Sequence, residues 1–253
     1  MNNITARRRI TALSCHWLSL SLANLHRRRV GSAAASHPVQ IKSGGKEYLE
    51  RSLQTFTSSF KDNPVFTWLL QNVPLPKHPS VLPKLLRPFF HQALLNGGTF
   101  VQANDFSSCG LFLPPGARME NPWTMLQAGL IKGLWDVGRA MVDYLPVIDH
   151  SQQQVLTKEE QMKHWYKFIM ATADGSLREG YASAIIASML ARARRDECPM
   201  WADATTLKSR NMLLKHDFVD AEEISMDVGK VDSDGRLKKG GEGIRIWPMV
   251  WRG

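Results

Sequence analysis

Two periods alternate along this chain, and each change of period marks an element. Positions 39–42 read as a short strand. Tyr48, Leu49, Leu53, Phe56 and Phe60 then recur at helical spacing and predict a helix over 46–60. Asn63-Pro64 ends one element and opens another that carries Val65, Phe66, Trp68, Leu69 and Leu70. After a turn rich in proline (Pro74, Pro76, Pro79), 81–95 predicts a further helix, broken or kinked near Pro83 and Pro88. Asn96-Gly97-Gly98 is a turn. Positions 99–103 and 109–113, separated by a short polar segment, predict an antiparallel hairpin closed by Pro114-Pro115-Gly116.

The stretch 117–160 reads as a helical insertion. Met125, Leu126, Leu130, Leu134, Trp135 and Val137 give a helical pattern over 123–141, weakened by Gly129, Gly133 and Gly138. Trp123, Met125 and Trp135 are its expected core. Positions 145–154 read as loop, and Thr157 with Glu160 forms a capping box. The last hundred residues read strand (164–171), turn (Asp174-Gly175-Ser176), helix (179–195), strand (199–204), helix (206–216) and two strands (218–226, 244–251) around a loop rich in Gly and Lys. The predicted class is α/β (α+β): a mixed, mostly antiparallel central sheet with helices on both faces.

Composition narrows the function classes. With 253 residues, 43% hydrophobic and 22% charged, the chain is neither collagen-like nor wholly disordered. No apolar run reaches the roughly 18 residues of a membrane helix. Cys15, Cys109 and Cys198 lie too far apart for a disulfide framework or a zinc pattern. The net charge of +9 comes from the start of the chain: 1–46 holds eight basic residues and no acid, which leaves 24 basic against 23 acidic residues in the rest. A near-neutral body gives no support for nucleic-acid binding. In the segment 1–37, Ile10, Leu13, Trp17 and Leu20 share one helical face among arginines. This is the grammar of a mitochondrial transit peptide, with a secretory signal or an unaddressed tail (a cytoplasmic protein) as alternatives. The folded domain is expected over 38–253.

The chemistry concentrates where the strand at 164–171 meets the helix at 179. A strand that enters a helix through a loop of small residues presents unpaired backbone N–H groups at the helix's positive end, a site for a pyrophosphate. Gly180 permits close approach, and Ala182 and Ser183 leave the first turn unobstructed. Gly180 as an ordinary packing glycine is the alternative. Asp232-Ser233-Asp234-Gly235 reads as a hairpin turn, because the spacing and closing Glu of a calcium loop are missing. No metal site is expected. Arg192, Arg194 and Arg195 read as a solvated helix end.

The order of motifs over 164–218 resembles the GNAT superfamily of N-acetyltransferases. Leu177-Arg178-Glu179-Gly180-Tyr181-Ala182 stands in the slot of that family's phosphate loop, Gln/Arg-x-x-Gly-x-Gly/Ala. The segments 204–211 and Lys215-His216-Asp217-Phe218 resemble its next helix. His164-Trp165-Tyr166, Gly240-Gly241-Glu242-Gly243 and Trp247-x-x-Val250-Trp251 are similar to the fungal branch. The resemblance implies acetyl-CoA as cofactor and direct acyl transfer to the amine of a small molecule. It implies cofactor contacts at Ile169, Met170 and Ala171 on the strand, at Arg178, Glu179, Gly180, Tyr181, Ala182 and Ser183 in the loop and first turn, and at Ser209 and Asn211. Asp203, His164 and Glu160 are the candidate bases; Asp203 as a cap of the helix from Thr205, and His164 as an ordinary residue at a strand start, are the alternatives. Three positions depart from the family: Leu177 replaces Gln or Arg, Leu213 stands where a Tyr often protonates the leaving thiolate, and Asp217 replaces Gly. An acyl-CoA-binding protein with little turnover and an interaction module built on the 117–160 insert are the competing functions. The insert is also placed to cap the acceptor site and select an apolar or aromatic amine.

Overall fold

Eight strands make one sheet among the described residues: β1 (Ile41–Gly44), β2 (Thr99–Ala103), β3 (Ser108–Leu113), β4 (Trp165–Thr172), β5 (Met200–Ala204), β6 (Val219–Asp220), β7 (Ile224–Met226) and β8 (Ile244–Trp251). Their order is β1-β2-β3-β4-β5-β8-β6, with β7 also paired to β8. Every pair is antiparallel except β4 with β5. The computed structural model describes residues 39–117, 119, 121–130 and 139–253. The leader pattern at Ile10, Leu13, Trp17 and Leu20, together with Gly133, Leu134, Trp135, Val137 and Gly138, lies outside them.

Alternation along the strands divides the core between two faces. On β2 and β3, Phe100 and Leu111 pack with Phe56 of α1 (Leu49–Ser59), Trp68 of α2 (Pro64–Leu69) and Phe90 of α3 (His78–Leu95). Their neighbours Val101 and Phe112 point the other way. There they meet Ile185, Ile186 and Met189 of α7 (Tyr181–Arg195) and Leu213 of α8 (Leu207–Leu214). Among the described residues, the helices α4 (Pro122–Gln127), α5 (Arg139–Val155) and α6 (Lys158–Met162) lie between β3 and β4 in the chain. Tyr144, Val147 and Ile148 of α5 pack into the first core.

The only parallel junction in the described sheet is short. β4 and β5 pair at Trp165/Met200, Tyr166/Trp201 and Lys167/Ala202, and no further. Beyond Lys167, β4 runs on alone on that side. On its other side the register with β3 jumps from Ile169/Leu111 to Lys167/Phe112, which leaves Phe168 as a bulge. The two strands therefore part in the middle of the sheet.

Several sequence expectations are corrected. α3 begins at His78 and passes through Pro83 and Pro88 as one helix, held by Leu82, Leu85, Leu86, Phe90 and Ala93, all buried. The expected loop at 145–154 is inside α5, despite Pro146. The helix expected from 123 stops at Gln127, and Gly129 at φ 76° turns the chain away. Trp123, expected in the core, is 74% exposed. The helix expected from Glu179 starts at Tyr181, because Gly180 takes a left-handed conformation (φ 81°) as its N-cap. The strand expected over 218–226 is two short ones, β6 and β7. The capping box of Thr157 and Glu160 is present. So is the hairpin turn at Asp232, whose Oδ1 accepts from the Asp234 and Arg236 N–H groups. Asp217, where the resemblance expects Gly, takes φ 63°. Cys109 and Cys198 are buried free thiols. No described helix is long and apolar enough to cross a membrane.

Candidate active site

The gap between β4 and β5 opens into a cavity of about 1650 Å³ whose walls come from both faces of the sheet. On the α7 side the walls are Arg178, Gly180, Tyr181, Ala182 and Ser183, with Lys208, Ser209, Asn211, Met212 and Lys215 of α8 and its end. On the opposite side they are aromatic and aliphatic, including Phe60, Phe66, Leu69, Phe89, Tyr144 and Ile148. Phe168 to Thr172 of β4 and Asp203 of β5 lie between.

The α7 end presents unpaired donors to the cavity. Gly180 places no side-chain cap on a helix of 15 residues, so the first-turn N–H groups keep their donor capacity. A Cβ at Gly180 would meet nothing within 4 Å, so the space over the helix end is open. Arg178, two residues before the N-cap, stands beside the helix's positive end, and Lys208 and Lys215 add two further cations to the same cavity. Two side chains there are already engaged: the Tyr181 hydroxyl accepts from Asn104 Nδ2 (2.9 Å), and Ser183 Oγ is bonded to His216 Nε2 (2.5 Å). Ser209 Oγ closes the capping box of α8 by accepting from the Thr206 N–H (3.2 Å), and it also donates to the Thr206 carbonyl (2.9 Å).

The other end is organised around Asp203. Tyr166 Oη donates to its Oδ2 (2.7 Å) and Trp201 Nε1 to its Oδ1 (3.1 Å). Burial raises its proton affinity above that of an ordinary aspartate, against the pull of those bonds and of Lys167. Lys167 is 6% exposed, and its Nζ donates to the main-chain oxygen of Asp203 (3.4 Å). Burial lowers its pKa to about 8, with Asp203 opposing the shift. The Tyr144 phenol is pushed up by burial and then by the Asp203 charge. His164 lines the same cavity; its Nδ1 donates to the Glu160 carbonyl (2.8 Å), which leaves Nε2 as the basic atom, and burial lowers its pKa.

Of the predicted site residues, Ile169, Met170, Ala171, Arg178, Gly180, Tyr181, Ala182, Ser183, Ser209, Asn211, Asp203 and His164 all stand on this one cavity. Glu179 does not; it is exposed just outside the helix. Glu160 is also absent from the wall, because its carboxylate is held by Arg252 (2.8 Å) and by the Thr157 N–H (2.9 Å), and both bonds lower its pKa. Asp203 is not the helix cap: Thr206 is. Leu213 is fully buried in the core under α8 and faces away from the cavity, where Met212 stands instead. Sequence reasoning missed Tyr166, Trp201, Tyr144 and Lys167. Only Lys167 left a signal, as a lysine inside an otherwise apolar central strand.

No model of a known protein family matches the chain. It is similar to an uncharacterized N-acetyltransferase of Schizosaccharomyces pombe, 20% identical over 184 residues that cover 71% of this chain and 73% of that protein. Among solved structures, arylalkylamine N-acetyltransferase 2 from Aedes aegypti superposes with a TM-score of 0.57 at 14% identity, over 85% of this chain and 99% of that one. The polyamine N-acetyltransferase of Drosophila melanogaster does so with a TM-score of 0.55 at 9% identity, over 85% and 100%. At these identities the structural likeness is one of fold. That fold and the match to the Schizosaccharomyces pombe protein agree with the motif order over 164–218: the chain has the fold of the GNAT N-acetyltransferases and is similar to them in sequence order.

Proposed function

We propose that the protein is an acetyl-CoA-dependent N-acyltransferase that moves an acetyl group to the amine of a small molecule. The observation that carries this reading is one cavity joining a cation-rich helix N-terminus to a buried carboxylate through the gap between β4 and β5. The residues present fit the cofactor. The open N–H groups at Tyr181, Ala182 and Ser183, with Arg178, Lys208 and Lys215, would hold the pyrophosphate. The edge of β4 from Ile169 to Ala171 has no β5 partner, so its backbone groups are available to the pantetheine arm. When bound, acetyl-CoA supplies an acyl group activated as a thioester.

This chain's part is positioning and proton handling. The aromatic chamber excludes water around an amine, and Asp203 receives the proton that the nitrogen must lose as the amide forms. Tyr166 and Trp201 fix both carboxylate oxygens, so the carboxylate does not swing away from the amine. Thiol release from acetyl-CoA with a panel of aromatic, aliphatic and polyamine acceptors tests the reading. Asp203→Asn should lower kcat/KM by about 10²–10⁴-fold while calorimetry shows acetyl-CoA binding unchanged. A loss on His164→Gln with none on Asp203→Asn would move the base to His164. Binding without thiol release for any amine would mean a protein that holds acyl-CoA and does not turn it over. No binding at all would end the reading.

A further inference from the structure

We propose that Lys167 is the acid that delivers a proton to the departing thiolate, in partnership with Asp203. This rests on the acetyl-transfer reading above and supplies the group that Leu213 cannot. Leu213 is buried in the core, so the position from which the resemblance expects a tyrosine hydroxyl has no access to the cavity. Met212, its neighbour on the cavity wall, has no proton to give. Tyr166 already donates its proton to Asp203.

Lys167 stands where the arm must pass. It is the last residue of β4 paired with β5, so it marks the apex of the gap. Its Nζ reaches forward to the main-chain oxygen of Asp203, the first β5 residue past the paired region. A thioester that enters from the α7 side and meets an amine at Asp203 brings its sulfur past this ammonium. Among the described residues Lys167 forms no salt bridge, so its protons are not committed to a carboxylate. The charged group recorded against it is Asp203 on β5; Tyr144 of α5 bears on that same carboxylate, and on β3 the facing residue is Phe112. Its pKa of about 8 lies close to that of a thiol, so the transfer is nearly balanced in energy.

The protons balance. The neutral amine, having left its ammonium proton to solvent, forms the N–C bond to the acyl carbon. The C–S bond breaks, and sulfur keeps the electron pair and takes a proton from Lys167. The nitrogen passes its surplus proton to Asp203. Solvent then takes the proton from Asp203 and returns one to Lys167 as the products leave, which restores the carboxylate and the ammonium for the next cycle.

Two measurements on wild type, Lys167→Met and Lys167→Arg test this. The first titrates the ultraviolet absorbance of the thiolate of bound CoA alone, with no acceptor needed. In the wild type the bound thiol should ionise at lower pH than free CoA; in Lys167→Met that lowering should vanish, and in Lys167→Arg the positive charge should restore it. The second is turnover with the best amine of the panel. Lys167→Met should lose at least about a hundredfold in kcat with unchanged acetyl-CoA affinity, and its kcat should lose the basic limb near pH 8. Lys167→Arg should stay slow, because a guanidinium does not release its proton. An unshifted thiol in the wild type, an unchanged kcat in Lys167→Met, or acetylation of Lys167 itself by acetyl-CoA would overturn the assignment. Failure of the wild type to bind CoA would overturn the transfer reading, and is seen before either variant is made.

Discussion

Replacing Lys167 with Met should stabilise the protein at neutral pH. An ammonium that titrates at 10.5 in the open chain and at about 8 in the fold is disfavoured there by about 3 kcal/mol, at roughly 1.4 kcal/mol per unit. Its depressed pKa fixes the sign. Between pH 8 and 10.5 the unfolded chain holds more protons than the folded one, so stability rises with pH across that window. The penalty is fully present below pH 8 and relieved above 10.5. Methionine has comparable length and no charge, so it removes the penalty. Two losses offset part of the gain. The hydrogen bond to the Asp203 carbonyl, worth about 1 kcal/mol, disappears, and Asp203 loses the neighbouring positive charge that holds its proton affinity down.

The net expectation is a gain of about 1–2 kcal/mol at pH 7, a rise of several degrees in Tm for a chain of this size. Urea unfolding of both proteins at pH 7 and pH 10 measures it. The gap between them should be largest at pH 7 and should shrink at pH 10. A variant that is less stable than wild type at pH 7, or a gap that does not change with pH, would refute the reasoning. Lys167 would then be a structural tie for the open edge of β5, and its charge would not be strained by burial.

Two further outcomes follow from the geometry. Gly180→Ala and Gly180→Glu should each lose about 1–2 kcal/mol of stability from the left-handed backbone alone, since neither Cβ meets a neighbour; only Gly180→Glu should also weaken acetyl-CoA binding, by at least about a hundredfold, and equal binding by all three proteins in calorimetry would displace the phosphate site. Leu213→Tyr should lower stability by about 1–3 kcal/mol by overpacking a fully buried position, with no gain in thiol release; a gain would mean that residue 213 reaches the cavity.

The fold was legible wherever period and punctuation agree. The turn at Asn96-Gly97-Gly98, the hairpin after it and the strand–helix–strand of 164–204 carry their own boundaries. Misreadings fell where tertiary packing overrides a local signal. Pro83 and Pro88 speak against a continuous helix, yet the buried leucines and phenylalanine of α3 hold it together. Pro146 has the same effect in α5. Trp123 reads as core because it is large and apolar, but the glycine at 129 turns the chain before a full helical face can form.

The candidate site divides in the same way. Its α7 end is made by backbone, and a strand, a loop and a helix in sequence are enough to announce it. The end around Asp203 is made by side chains from α1–α2, α3, α5, β4 and β5, and no sequence spacing ties Tyr144, Lys167 and Asp203 together. What joins the two ends is topology. β4 and β5 are the parallel pair, and α7 is the crossover between them, so its N-terminus must lie beyond the C-terminal end of β4. The bulge at Phe168 and the end of β5 pairing at Ala202 open the sheet toward that same side. Cradle and gap therefore coincide by construction, and the two faces meet through the gap. Lys167 occupies that apex. A lysine there carries an energetic penalty that a leucine or methionine would not. On the acetyl-transfer reading, a buried charge of that kind at the apex of the gap is better explained by proton transfer than by packing.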